Sequence, residues 1–242
     1  MRIGLIGYGK MGKTIESIIR EEGKHEIGLI ISEENLHEFT VENLQKIDVA
    51  IEFTQPNSAV SNIMKCFEAN IPVVVGTTAW HEHLPKVKAY CEANNQTILP
   101  SSNFSIGVNI FFEINRKLAE IMYANPAYSA SLTEIHHTEK KDAPSGTAVT
   151  LAHDLVDKLH LSGWELVNQV PAESTGKLPI VALREPDVPG THSILYESDI
   201  DQIEIIHTAK SRRGFAFGAI RAAEFIFGKK GFFEMKDVLN FK

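Results

Sequence analysis

His136 and Lys140 stand four residues apart in the stretch Glu134-Ile135-His136-His137-Thr138-Glu139-Lys140-Lys141-Asp142-Ala143-Pro144-Ser145-Gly146-Thr147-Ala148. An imidazole titrates near neutral pH and can give up a proton, and a nearby ammonium supplies a fixed positive charge. Further on, Ser145-Gly146-Thr147 falls where the pattern turns helical. The first N–H groups of a helix have no partner within it and sit at the positive end of its dipole, so they can hold a carboxylate or phosphate. Gly146 lets such an anion come close to the backbone. Proton donor, cation and anion-holding turn together suit a small anionic substrate that gains a proton. Each feature alone also has a plain reading, as a solvated lysine face or an ordinary helix cap. No metal is expected. Consecutive histidines on a strand point to opposite faces, and neither Cys66 nor Cys91 stands at ligand spacing from them.

These residues need a rigid support. Upstream, Tyr128 to Ile135 reads as a strand; downstream, Ala148, Val149, Leu151, Ala152, Leu155, Val156 and Leu159 recur at helical spacing. The residues between them form a loop joining strand to helix, where chemistry is commonly placed.

A second constellation opens the chain. Residues 3 to 6 are an apolar run, followed by Gly7-Tyr8-Gly9-Lys10-Met11-Gly12 and a helix with Met11, Ile15, Ile18 and Ile19 on its apolar side. Gly23 is its expected stop, and Glu26 to Ile31 the next strand. Strand, Gly-x-Gly-x-x-Gly, helix, strand is the order of a dinucleotide-binding unit. There Gly7 permits the tight turn, Gly9 admits pyrophosphate, and Gly12 allows the helix to pack closely on the strand. The acid that would bind the adenosine ribose should end the second strand, where the chain reads Ile31-Ser32-Glu33-Glu34. Glu33 is the candidate. Lys10 and Lys13 equally suit the extra phosphate of NADP, so NADH versus NADPH stays open.

Further strands are expected over 48–53, 72–75 and 97–99, with a turn at Thr54-Gln55-Pro56-Asn57 and a helix over 58–69. Gly76-Thr77-Thr78 and Ser101-Ser102-Asn103-Phe104 follow strand ends. Ligands in open α/β sheets lie outside those carboxyl ends, so the two turns are candidates for a nicotinamide-side wall. After Gly107 the pattern changes. Val108, Phe111, Phe112, Asn115, Leu118, Ala119 and Met122 suit a long buried helix. Strands are expected over 128–136, 179–184, 192–197 and 201–208, with a turn-rich segment over 162–178. The fold class is therefore α/β: a Rossmann-type parallel-sheet nucleotide domain plus an α+β substrate domain with a mixed sheet, one face of which could build an oligomer. A helix over 214–227 and a short tail over 231–241 close the chain.

Composition is that of an ordinary soluble globular protein. Of 242 residues, 43% are hydrophobic and 23% charged, and the net charge of -7 is no match for nucleic acid. Two cysteines in separate segments fit a reducing compartment. With no apolar run of spanning length and no leader-like start, a cytoplasmic location away from membranes is expected.

The motif Glu134-Ile135-His136-His137-x-x-Lys140-x-Asp142-Ala143-Pro144-Ser145-Gly146-Thr147-Ala148 closely resembles the signature of the dihydrodipicolinate reductase family. The resemblance extends to Gly7–Gly12, to Val75-Gly76-Thr77-Thr78, to the stretch from Ser102 to Asn109, and to Phe232–Leu239. It implies NADH- or NADPH-dependent reduction of a small cyclic dicarboxylate, 4-hydroxy-tetrahydrodipicolinate, in diaminopimelate and lysine synthesis. It also implies a homotetramer whose nucleotide domain takes both chain ends, here 1–106 and 213–242, around a substrate and tetramerisation domain, 107–212. By the same resemblance His136 is the proton donor, Lys140 a second acid and substrate cation, and His137 a substrate contact. Gly146 and Thr147 hold a substrate carboxylate through backbone N–H groups, and Arg212 and Phe215 lie near the cofactor. The chain departs from the family at Ser32, near where an acidic residue is common. A different nicotinamide dehydrogenase, acting for instance on aspartate or its semialdehyde, would have no need of this loop, nor would a non-catalytic nucleotide sensor.

Overall fold

The computed structural model describes residues 1–172 and 175–241, apart from the side chain of His81. The chain divides into two compact units, Met1–Ile106 with Arg212–Lys242, and Gly107–Ser211.

The first unit begins β1 (Arg2–Ile6), α1 (Lys10–Glu22), β2 (Glu26–Ile31), α2 (Val41–Leu44), β3 (Val49–Glu52) and α3 (Pro56–Glu68). It goes on through β4 (Val73–Val75), α4 (Leu84–Ala93) and β5 (Thr97–Pro100). The second unit holds α5 (Ile106–Tyr123, from Gly107), β6 (Ser129–His136), α6 (Gly146–Leu159), β7 (Trp164–Val167), β8 (Leu178–Arg184), β9 (Thr191–Glu197) and β10 (Gln202–Thr208). The chain then returns to the first unit as α7 (Arg213–Ile226), β11 (Gly231–Phe232) and α8 (Met235–Val238).

In the first unit six strands pair in the order β11-β5-β4-β3-β1-β2, all parallel. Side chains alternate across the sheet, so both faces are apolar and both are covered. Ile3, Leu5, Val49, Ile51 and Val74 join residues of α1, α7 and α8 in one core. Ile6, Ala50, Val73 and Val75 join residues of α3 and α4 in the other, which also takes both cysteines. Burying one such Ile or Val fully contributes roughly 1.5–3 kcal/mol. Helix α1 stops at Gly23, whose φ of +63° carries its N–H back to the Ile19 carbonyl at 3.0 Å. β1 lies one strand in from the sheet's β2 edge, with β2 and β3 on either side, so strand order reverses there, and such reversals are where nucleotides bind.

In the second unit five strands run β10-β9-β6-β8-β7; β6 is antiparallel to β9 and parallel to β8, which makes the sheet mixed. Leu132, Ile180, Ile194 and Tyr196 face α5 and α6, where they meet Phe111, Ala119, Leu151 and Leu155.

Four elements go beyond the expectations from sequence. The turn-rich stretch 162–178 contains a strand, β7, paired parallel with β8; residues 173 and 174 of that stretch lie outside the described residues. The tail adds a sixth strand to the nucleotide sheet, Gly231 pairing with Thr97 and Phe232 with Ile98. The sequence reading also placed no element where α2 and α4 stand.

Candidate active site

β6 alternates, so Leu132, Glu134 and His136 fall on its helix-covered face and all are buried. His137 follows the strand's end and is half-buried. The loop then passes Lys140 and Asp142 and reaches Ser145, the N-cap of α6, whose hydroxyl accepts from the Ala148 N–H at 3.2 Å. The Lys140 ammonium contacts both Asp142 oxygens at 2.8 Å. From β8, Arg184 ties the loop down, donating to the Asp142 carbonyl at 2.6 Å and lying 3.4 Å from Glu134 Oε1.

Glu134 is the hub. It is 0% exposed. Its two oxygens accept from the Ser145 N–H at 3.1 and 3.0 Å. Its Oε2 also stands 3.5 Å from His136 Nδ1 and 3.7 Å from His192 Nε2. His192 Nε2 lies 3.1 Å from Ser145 Oγ, and its ring meets His136 edge-on at 5.1 Å between centroids. Glu134, His136 and His192 have the mutual spacing of a metal cluster. Their carboxylate, however, is already committed to an amide and faces a guanidinium, which is the chemistry of a hydrogen-bonded hub.

Burial pushes the His136 imidazole below its ordinary value; Glu134 and Asp142 pull it back up, and Lys140 and Arg184 push it further down. Burial, with repulsion from neighbouring cationic forms of His136, His207 and Lys140, takes His192 down to about 3. Asp142, bonded to Lys140, is held below the usual carboxylate range. At the far edge of His136, a Cβ on Gly190 would come within 3.0 Å of Nε2, and Gly190 has a φ of +153°, so glycine is needed there twice over. A Cβ on Gly146 would meet no atom within 4 Å, so that turn is open. Thr147, the next residue, is half-buried.

In the nucleotide unit the three glycines divide their work. Gly7 has a φ of +94°, and a Cβ there would lie 2.0 Å from the Phe53 carbonyl oxygen. A Cβ on Gly12 would lie 2.4 Å from the Gly7 carbonyl oxygen, so bare α-carbons let α1 close on the turn. Gly9 has nothing within 4 Å, which leaves room for a phosphate at the start of α1. This is the cradle a dinucleotide requires. Tyr8 and Met11 are half-buried beside it, and Lys10 and Lys13 are exposed. Thr77, at the end of β4, accepts from the Thr54 N–H at 2.7 Å and joins two of the turns at the carboxyl ends; Gly76 precedes it and Thr78 is exposed. Ser101 bonds the Asn103 backbone, Asn103 caps the Ser105 N–H at 2.9 Å, Phe104 is buried and Ser102 is exposed. Arg212 is the exposed N-cap of α7, with half-buried Phe215 in its first turn. Glu33 is exposed at the start of a 3-10 turn, Glu33–Glu38, capped by Ser32.

Sequence reasoning passed over Glu134, Arg184, Gly190 and His192 as functional residues. One signal was present: a carboxylate on the apolar side of β6, between Leu132 and His136, is out of place unless it has partners.

The chain is similar to known proteins along nearly its whole length. Residues 1–104 match the family described as dihydrodipicolinate reductase, N-terminus, and residues 107–239 its C-terminus. A 4-hydroxy-tetrahydrodipicolinate reductase of Christiangramia forsetii is 46% identical over 99% of this chain and 98% of its own. One of the same name from Thermosipho africanus is 34% identical over 99% and 98%. Among solved structures, dipicolinate-bound dihydrodipicolinate reductase from Paenisporosarcina sp. TG-14 shares the fold with a TM-score of 0.76, at 22% identity, over 97% of each chain. With both halves matched and relatives alike from end to end, the chain belongs to the dihydrodipicolinate reductase family, oxidoreductases that take a pyridine nucleotide.

Proposed function

We propose that this chain reduces 4-hydroxy-tetrahydrodipicolinate to tetrahydrodipicolinate with NADH or NADPH, in the diaminopimelate route to lysine. The observation that carries the reading is the single loop on which a buried imidazole, a lysine and an open helix start occur together. The 4-hydroxyl leaves as water with a proton from the neighbouring ring carbon, which makes the ring conjugated, and a pyridine nucleotide, when bound, would supply hydride to it. The Gly146 and Thr147 amides hold one ring carboxylate at the positive end of α6, with His137 alongside. Lys140 turns from Asp142 toward the diacid and acts as cation and second acid. His136 gives its proton to the ring carbon next to the one reduced. Burial, which pushes its pKa down, suits this order: the free chain disfavours the imidazolium, and two arriving negative charges favour it.

In the nucleotide unit we assign cofactor binding to Gly7, Tyr8, Gly9, Lys10, Met11 and Gly12, the turns 76–78 and 101–104, Arg212 and Phe215. Glu33 is assigned to the ribose hydroxyls, its exposure at the end of β2 leaving it accessible. The face of the mixed sheet opposite α5 and α6 carries Ile135, Leu195 and Ile206, the last 58% exposed, and we assign tetramer formation to it. No helix among the described residues is long and apolar enough to cross a membrane.

The test is a coupled assay. The condensation product of pyruvate and aspartate semialdehyde is supplied, and oxidation of NADH and NADPH is followed separately, with the mass of the active species measured by light scattering. Oxidation that depends on the condensation product is expected, from a particle of four chains. Absence of oxidation with both nucleotides would refute the activity.

A further inference from the structure

The carboxylate of Glu134 touches both halves of the proposed chemistry without facing solvent. It precedes His136 by two residues on β6 and therefore shares its face. It binds the N–H of Ser145, the residue from which Gly146 and Thr147 project. Behind His136 it lies 3.5 Å from Nδ1, a buried nitrogen with no hydrogen-bond partner among the described residues. On the opposite edge of the ring, Nε2 is bordered by Gly190, where a side chain is missing.

We infer that Glu134 is the positioning residue of the reaction: it holds a proton on His136 Nδ1, so that Nε2 is the atom that delivers, and it anchors the turn that takes the substrate carboxylate. The inference rests on the reading of His136 as proton donor. A negative charge behind Nδ1 favours the tautomer with hydrogen there and favours the imidazolium over the neutral ring. The other charged groups facing His136 are Lys140 and Asp142 from the loop and Arg184 from β8, with His192 edge-on from β9. Arg184 opposes Glu134 in its effect on His136 and leans on the same carboxylate, so removing either should move the acid in opposite directions.

A general acid works only while protonated, so kcat falls as pH rises through its pKa in the complex. Glu134→Gln keeps an oxygen for the Ser145 N–H and loses the charge. The fall in kcat should then come at lower pH by roughly one unit, with kcat near neutrality down about tenfold. Glu134→Asp keeps the charge, and its fall in kcat should stay nearer to wild type in pH even if the rate drops. Arg184→Met should move the fall to higher pH. Binding of pyridine-2,6-dicarboxylate, a planar diacid probe, should weaken in Glu134→Gln because a neutral amide oxygen holds the Ser145 N–H less firmly than a carboxylate does.

The experiment measures kcat and KM against pH for the full-length enzyme and these three variants, with melting temperature as a check on folding. It adds the imidazole tautomer of wild-type His136 by nitrogen-15 NMR, identified by the signal that His136→Gln removes. The expected result is the Nδ1–H tautomer, with limbs displaced down for Glu134→Gln and up for Arg184→Met. An Nε2–H tautomer overturns the inference even if none of the Glu134 and Arg184 variants folds. So does a Glu134→Gln enzyme that is slower with its limb unmoved, since that is the mark of a merely structural role. A wild-type rate in His136→Gln would instead remove the underlying reading, which keeps the two failures apart.

Discussion

The turn after β1 and the loop after β6 both deliver the chain to the start of a helix, yet they are built from different material. The first is backbone. Gly9 caps α1 with no side-chain bond, no acidic residue follows in the first turn, and the glycines keep the space clear. The second is wired by side chains: Ser145 caps α6, Glu134 holds Ser145, Arg184 holds the loop carbonyls, and His192 stands behind. Holding a pyrophosphate needs N–H groups and room, which any glycine turn on a rigid sheet can offer. Giving a proton at the right moment needs a group whose charge state is set, and only fixed partners in a buried place can set it. The two turns should accordingly fail in different ways.

The largest effect belongs to the wired loop. His136→Gln should slow turnover by roughly 10²–10⁴-fold, the usual worth of a general acid, while the dissociation constant for NADPH stays near wild type. Single-turnover kinetics and a fluorescence titration give the two numbers. Equal damage to nucleotide binding would erase the distinction. The converse is smaller. In Gly12→Val the new Cβ would fall 2.4 Å from the Gly7 carbonyl oxygen, so α1 must back away from the turn. Overpacking of this kind typically costs about 1–3 kcal/mol. If that cost falls on the bound state, nucleotide affinity drops by on the order of a hundredfold. Unchanged affinity would mean that the turn yields more easily than the close contact suggests.

The same difference governs what the sequence discloses. The glycine turn is local, and Gly7, Gly9 and Gly12 announce it within six residues, with β2 over the expected Glu26–Ile31 beyond it. His136, Lys140 and Ser145–Thr147 are legible for the same reason. Glu134's partners are not, because Arg184 and His192 lie about fifty residues on and reach it only through the pairing of β6 with β8 and β9. A sequence shows that Glu134 shares a face with His136, but not what fills that face. Elements were missed on similar grounds. β7 is four residues among turn formers, identifiable by its pairing with β8, and α4 buries just Val87 and Cys91, too little apolar spacing to stand out.

The smallest effect tests whether the wiring is as dry as it looks. His192 titrates in the folded chain at about 3, against about 6.5 when unfolded. Between those values the unfolded chain binds a proton that the folded chain refuses. Stability from this group is therefore whole above about pH 6.5 and is lost as pH falls toward 3. His136 and His207 are pushed the same way, so the acid slope is shared. His192→Gln, which can still meet the Ser145 hydroxyl, takes one proton out of that slope. The stability lost between pH 7 and pH 5, measured by urea unfolding, should shrink by about 1–2 kcal/mol relative to wild type. If the two proteins lose equal stability, His192 accepts its proton while folded. Glu134 would then be sharing its charge with a further cation besides Arg184 and His136, and the loop would be a looser device than the glycine turn it is set against.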